Sequence, residues 1–574
     1  MAALAALVVL ACFALAYRLY ARFLGERVFE DGDVIVTPAH ALADGHDFVA
    51  TPMHLLQGHH FTSIAGAAPI IGPCVAAYWG WAPALVWVVV GTIFMGAAHD
   101  FGALVVSARE RGRSVADIAG SVIGPRARLL FLCFVIIIVW LVLAVFAMAI
   151  AGLFVSQPAS VIPINIEIVV AALVGWWIYR RRGGALWPSL LALAVLYGAV
   201  FVGVKVPVDF VALGVERTTA VKGWMLFLFA YSALASLLPV WLLLQPRDLI
   251  NSHQLAVGLL LLFVGLFVSH PSFDAPALRT TGDGAPPIFP VLFVTIACGA
   301  ISGFHGLVSS GTTSKQLDRL RDARPIGYGS MLGEGTLALL ATLAAVAGIG
   351  LVGSCTLPGQ GAVADLSWGV YYESWGHASV NNASAFVLGG GAFLEAIGFP
   401  TDVARTLMAV LVISFAATTL DTATRIQRFI FAELGSALSF RPFENAYVGT
   451  ALAVLPAMAL AFAETTDPAT GQSRAVGWVL WPIFGASNQL LAALTLMVIA
   501  LYVHRRGRPA WPLLVPMLLV IVIATLALVG DIATFFAQGN ALLAGIASGL
   551  LVLLAGMLFE GLGAARRPTS SDPA

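Results

Sequence analysis

The chain has 574 residues, 60% of them hydrophobic and 10% charged, with a mean hydropathy of +0.93. A soluble domain carries about 25% charge, so the composition excludes a protein with much soluble mass and predicts a polytopic membrane protein. The 30 basic and 30 acidic residues balance, which gives no reason to expect a nucleic-acid partner. Five cysteines without a C-x-x-C pair argue against a disulfide framework or a cysteine metal site.

A span needs roughly 20 apolar residues. The sequence offers fifteen, at about 2–20, 61–80, 82–107, 128–155, 164–180, 186–204, 222–244, 252–270, 288–311, 329–354, 401–424, 445–463, 476–503, 512–530 and 541–560. The first has its arginines, Arg18 and Arg22, after the apolar run, and reads as a retained helix rather than a cleaved signal. With the N-terminus outside, alternation puts 24 Lys and Arg residues on the cytoplasmic side, Arg247 among them, and six outside. That bias follows the positive-inside rule and predicts an N-out, C-in topology. Loop 355–400 then lies outside, and its apolar piece 384–398 is too short to span and reads as re-entrant or interfacial. Residues 1–60 form an N-terminal helix and cytoplasmic lead-in, 61–430 the core, 431–560 a C-terminal helical region, and 561–574 a disordered tail.

The lead-in 44–61 gathers Asp44, His46, Asp47, His54, His59 and His60. Imidazole and carboxylate suit divalent cations, but the spacing matches no zinc motif and no metal site is expected. Proton coupling through Asp47, His59, His60 and, further on, Asp100 is the functional alternative, since imidazole titrates near neutrality. Loop hydrogen bonding is the structural one.

The second span carries Gly66, Pro69, Gly72 and Pro73. A proline lacks an N–H and clashes with the carbonyl four residues back, so Pro69 should free the carbonyl of Ala65. Lipid cannot satisfy such groups, and a helix broken near the midplane is how many secondary transporters build a site. Ala65, Gly66, Ala67, Ala68 and Pro69 are therefore candidate substrate-binding residues, with a plain proline kink as the alternative. The fifth span after it, 222–244, runs the opposite way and carries Pro239 near Ser232 and Ser236, two further candidates for substrate binding, which predicts a second interrupted helix and an inverted repeat.

In 288–316, Ser302, His305, Ser309, Thr312 and Gln316 share one helical face. Ser302 and His305 are candidates for substrate. Ser309, Ser310, Thr312 and Thr313 are candidates for a cation, since clustered hydroxyls suit a hard ion such as sodium. Interhelical hydrogen bonding is the alternative. Asp100, with its neighbour His99, Glu334 and Asp421 are further intramembrane ionisable groups. Asp421 and Arg425 are four apart and predict a local ion pair. Asn488 and Gln489 are expected to lock helices together.

The stretches DGHDF (44–48), GHHFTSIAGAAPIIGP (58–73), HDF (99–101), SGFHGLVSSGTTSKQL (302–317), DTATR (421–425) and LWPIFGASNQLLAA (480–493) resemble the carbon starvation protein A (CstA) family. The resemblance implies an inner-membrane importer of small peptides or pyruvate used in carbon scarcity, with an extra helical region after the core.

Together these readings predict an all-α membrane protein of about fifteen spans. Its five-plus-five inverted-repeat core would be of the amino acid–polyamine–organocation type. They predict a proton-coupled importer, with sodium coupling, a passive channel or an intramembrane metal-dependent enzyme as alternatives. No catalytic residue and no cofactor is expected, and no P-loop is present. The expected partners are a small-molecule substrate, the bilayer and a coupling ion, without an obligatory protein partner.

Overall fold

The computed structural model describes all residues except 33, 46, 182–183, 281–284, 358–360, 381, 467–472 and 567–574. His46 of the lead-in and most of the expected tail thus lie outside the described residues, while 561–565 belong to the helix Ala541–Ala565. Among the described residues twelve continuous helices are long and apolar enough to cross a membrane. A thirteenth span is the pair Met53–Ile64 and Ala68–Trp79, bent by 48°. Two of the fifteen expected spans fall outside these thirteen. The stretch 288–316 is divided into Ile288–Thr295, Ala297–Ala300, Gly303–Val308 and a π turn at Ser309–Thr313. Ala446–Phe462 is continuous but has 17 residues, about 25 Å of helix against a hydrocarbon core of about 30 Å.

Two long helices, Pro125–Ser156 and Thr401–Leu438, pack on each other at the centre. Both are buried over most of their length, as helices without a lipid face must be. Around them the packing is reciprocal. Helix Leu244–Ser269 lies on Met53–Ile64 and on Thr401–Leu438, while Val476–Arg505 lies on Gly303–Val308 and on Pro125–Ser156. Arg217–Leu237 and Ala446–Phe462 each touch both long helices and one another. The short helices Val115–Val122 and Asn382–Glu395 rest on Pro125–Ser156 and Thr401–Leu438 respectively. The latter is the apolar piece of the 355–400 loop, buried among spans. Val161–Arg181 and Leu186–Lys205 form a hairpin at the side. Large apolar side chains such as Leu4, Trp187, Leu234, Val522 and Phe559 are exposed on the outer helices, where lipid would cover them.

Residues 222–244 do not form an interrupted span. Helix Arg217–Leu237 is continuous, and Pro239 falls in the turn before Leu244. The carbonyls of Ala235 and Leu238 accept from Arg425 Nη2, and that of Ser236 from Arg428 Nη1 at 2.6 Å. The second interrupted span is 288–316, and it lies against the first. Ala68–Ala76 packs on Ala297–Ala300, and Met53–Ile64 on Gly303–Val308. A Cβ on Gly72 would meet the Thr295 carbonyl at 2.3 Å, so glycine permits this approach.

The connections expected on one side of the membrane meet at one end of the molecule. There Arg324 pairs with Asp31 at 2.7 Å, Arg109 Nη2 donates to the carbonyls of Phe29 and Glu30, and Ser114 Oγ bonds Glu433 at 2.7 Å. This end carries most of the loop arginines. At the opposite end Arg279 Nη1 donates to Tyr372 O at 2.6 Å and Trp81 N–H to Pro276 O at 3.1 Å.

Candidate functional site

The first break lies at Ala65–Ala67. Ala65 leaves the helix at φ −75°, ψ 66°, and the Gly66 N–H turns back to Ile64 O at 2.8 Å. Pro69 then sits in the first turn of the second half, where its missing N–H has no helical partner to lose. A Cβ on Gly66 would stand 2.7 Å from Thr419 Oγ1 and 3.2 Å from the Phe146 ring. The break is thus held between the two long helices.

The second break lies at Ile301–Ser302, both extended. Asn488 closes it from the helix Val476–Arg505. Its Oδ1 accepts from Phe304 N–H and its Nδ2 donates to Ser302 Oγ, both at 3.0 Å. Gln489 Nε2 donates to Phe293 O at 2.8 Å in the same broken span. These two amides supply partners to an interrupted backbone, a role beyond locking helices together.

One turn past this break, His305 joins two acids. Its Nδ1 is 3.0 Å from Asp100 Oδ2 and its Nε2 is 3.3 Å from Glu334 Oε2. Asp100 Oδ1 meets His99 Nδ1 at 2.7 Å. All four side chains are buried. His60, also buried, has Nδ1 on Thr313 Oγ1 at 2.9 Å. Among the described residues no three His, Cys, Asp or Glu side chains converge as metal ligands would.

A second buried network surrounds Arg247, which is no loop charge. Its Nε bonds Glu167 Oε1 at 2.8 Å, and its Nη1 bonds Asp421 Oδ2 at 2.7 Å and Tyr231 Oη at 2.8 Å. Tyr231 donates to Asp421 at 2.7 Å and Ser414 to Glu167 at 2.5 Å. Asp421 therefore pairs with Arg247 rather than with Arg425. Next to Arg247, Asp248 Oδ2 lies 2.5 Å from His59 Nδ1.

Two adjoining cavities, with room of about 40 and 330 Å³, open at the arginine-rich end. His59, Val49, Gln245 and Gln316 line both. The first also touches Asp47, Thr312, Lys315, Thr422 and Arg425. At the opposite end an aromatic cluster covers the upper half of the first broken span. Trp368 Nε1 donates to Ala77 O at 3.0 Å and Tyr372 Oη to Cys74 O at 2.6 Å. Trp79 and Trp375 rings are 4.8 Å apart.

The predicted residues thus separate into groups. Asp47, His59 and Thr312 meet at the first cavity. His60 and Thr313 meet each other, and Asp100 and His305 lie together with His99 and Glu334. Ser310 Oγ bonds Gly306 O at 2.7 Å, and Ser309 Oγ is buried without a partner. The hydroxyl stripe reaches the first broken span at His60, short of the break. Ser232 and Ser236 do not join the break: they bond Phe229 O and Ala233 O, and Ser236 also meets Thr450. His54 is exposed on the lead-in. Sequence reasoning does not single out Glu167, and it places Arg247 in a loop. The lone glutamate in the apolar run IPINIEIVV was the available signal.

The profile of the family described as carbon starvation protein CstA matches residues 1–354 and 363–527. The peptide transporter CstA of Mycobacterium tuberculosis is 32% identical over 551 residues, covering 87% of this chain and 71% of that one. The pyruvate/proton symporter BtsT of Escherichia coli is 32% identical over 585 residues, covering 90% and 80%. Among solved structures, a manganese transporter of Eremococcus coleocola shows a TM-score of 0.47 at 14% identity, over 92% of this chain and 99% of that one. On the profile match and the identity of these relatives, the chain is a multi-pass membrane transporter, not an enzyme, and belongs to the carbon starvation protein CstA family.

Proposed function

We propose that the chain is a secondary-active, proton-coupled importer of small peptides or pyruvate-type monocarboxylates in the bacterial inner membrane, used when carbon is scarce. The observation that carries this is the pair of interrupted spans lying against each other, with a cavity beside them at the arginine-rich end and aromatic rings over the first broken span at the other. Such an arrangement supports alternating access. The relatives named for peptide transport and for pyruvate/proton symport support the substrate class and the ion. In the first cavity Arg425 and Lys315 offer positive charge to a carboxylate, and Asp47 offers negative charge to an amine.

The packing supports a five-plus-five inverted repeat, in a different register from the one the sequence suggests. One repeat is 53–79, 81–109, 125–156, 217–237 and 244–269. The other is 288–316, 320–351, 401–438, 446–462 and 476–505. The hairpin 161–205 is inserted in the first repeat, so the matching broken span is the seventh after the first and not the fifth. The two inserted crossings preserve the opposite orientation. The first helix and those after 505 lie outside the repeats. The arginine-rich end is assigned to the cytoplasm, with the N-terminus outside and the C-terminus inside.

His59 and Asp47, at the cavity, and His60 and Asp100, deeper, are the coupling candidates. Sodium is the second reading, favoured by the unpartnered Ser309 Oγ and by Thr419 against Gly66. Proteoliposomes given labelled pyruvate or dialanine test both. A proton-coupled carrier accumulates one of them in sodium-free buffer under an inward proton gradient and acidifies the lumen. Uptake that requires sodium and ignores pH would overturn the proton reading.

A further inference from the structure

We propose that Asp100, His305 and Glu334 form the proton-binding centre of this transporter, with His99 positioning Asp100. The inference rests on the proton-coupled reading and gives the proton an address that the sequence did not: Glu334 joins residues that had been assigned to two different roles.

The three groups come from three spans. Asp100 lies in Ala97–Arg109, His305 in the half-helix Gly303–Val308 and Glu334 in Ser330–Leu343. Both nitrogens of His305 face a carboxylate, at 3.0 and 3.3 Å. A neutral imidazole has one N–H and can offer a proton to one of them; the imidazolium offers one to each. With Asp100 ionised, His305 doubly protonated and Glu334 protonated, the centre is neutral. Loss of the Glu334 proton leaves one net negative charge, and both Glu334 oxygens lack a hydrogen bond. A buried net charge is strongly disfavoured in a membrane interior. The centre therefore holds the proton while sealed and releases it when water reaches it.

The other titratable groups facing the centre are His99 on the same helix, His60 on Met53–Ile64 and Cys298 on Ala297–Ala300. Helix Val476–Arg505 contributes the uncharged Asn488 and Thr495 near Ser302 and Gly306. His99 Nε2 and His60 Nε2 are both buried without partners, and each provides a site for passing the proton on. The coupling to transport follows from geometry. His305 rides on a half-helix whose start is set by the break at Ile301–Ser302. Tilting that half-helix withdraws the imidazole, after which two carboxylates face each other and retain a proton. Docking it, as here, supplies the positive charge that lets the proton leave once water reaches the centre from the arginine-rich end.

The test uses the full-length purified protein. Infrared difference spectra between about pH 5 and 8 should contain the carbonyl stretch of a protonated buried carboxyl. Glu334→Gln should remove that band, and Glu334→Asp, which keeps the carboxyl but withdraws it by one methylene, should shift its titration. Asp421→Asn, which alters the other buried network, should leave it in place. A band unchanged in Glu334→Gln and in Asp100→Asn overturns the proposal. In proteoliposomes Glu334→Gln should abolish proton-driven accumulation of labelled pyruvate or dialanine while retaining exchange of the same compound across the membrane. Retained accumulation with a wild-type pH profile also overturns it. If the wild-type protein moves no protons with substrate, the symport reading fails, and the infrared result still decides whether this centre binds one.

Discussion

Gly66 in the first broken span and Thr419 in the central helix approach so closely that a Cβ on the glycine would stand 2.7 Å from the threonine Oγ1. Phe146 closes the other side at 3.2 Å. Gly66→Ala should therefore push the break away from Thr401–Leu438 and lower uptake without unfolding the protein. Thr419→Ala removes the nearer obstacle, so the double variant should recover part of the loss. The expected coupling between the two sites is about 0.5–3 kcal/mol. It would be read from uptake rates and from unfolding temperatures of the two single variants and the double variant. Additive effects would show that the contact does not constrain the break.

Arg247 balances two carboxylates, Glu167 and Asp421, in a dry environment. Removing one partner of such a pair leaves charge buried without compensation and costs about 3–5 kcal/mol. Arg247→Met should markedly lower the unfolding temperature in detergent. Arg247→Met combined with Glu167→Gln and Asp421→Asn removes the stranded charges and should regain much of the stability. A single variant as stable as wild type would mean that the network carries no net burden in the fold.

The first break was legible in the sequence because its cause is local: Gly66, Pro69 and Pro73 sit within a few residues of it. The second was not, because 288–316 has no proline at Ile301–Ser302 and the group that supports the break, Asn488, is distant in the chain. Local spacing also misled at Asp421. An acid and an arginine four apart suggest a pair, but Arg247 reaches Asp421 from another helix, and Arg425 turns to the carbonyls that end Arg217–Leu237. Counting spans is nearly sufficient for membrane crossing. In the repeat proposed above, the hairpin 161–205 is an insertion that nothing in its hydropathy marks, which is why the fifth span rather than the seventh looks like the match for the first broken one. Composition revealed His99, Asp100 and Glu334 as unusual in apolar surroundings, but only the fold brings Glu334 to His305.

Ser121 is exposed at the arginine-rich end and Ala364 is exposed on the loop at the other end. With the five native cysteines replaced, Ser121→Cys in intact cells should react with a maleimide only after the membrane is made permeable, and Ala364→Cys should react at once. The inverse pattern would reverse the assigned topology. Equal reactivity of both from outside would contradict an opposed placement of these two ends.

Cys74 offers a reporter for the covered end. Its thiol is buried, and its carbonyl accepts from Tyr372 Oη at 2.6 Å. The cover is fastened by Arg279, whose guanidinium lies 4.3 Å from the Tyr78 ring centre and 5.4 Å from that of Trp368 while donating to Tyr372 O. A cation over an aromatic ring at a partly exposed site such as this contributes about 0.5–1 kcal/mol. In a carrier that alternates between two states, losing that contact should raise the outward-open population by roughly two- to fivefold. In a protein retaining Cys74 alone, Arg279→Ala should therefore accelerate labelling by an impermeant thiol reagent by about that factor. Tyr372→Phe, which removes only the bond to the Cys74 carbonyl, should do so to a smaller extent. Substrate at saturating concentration inside should change the rate as well, because it redistributes the same two states. Labelling that stays slow in Arg279→Ala, in protein with the wild-type unfolding temperature, would mean that the aromatic cover is a fixed part of the fold and that substrate enters by another route.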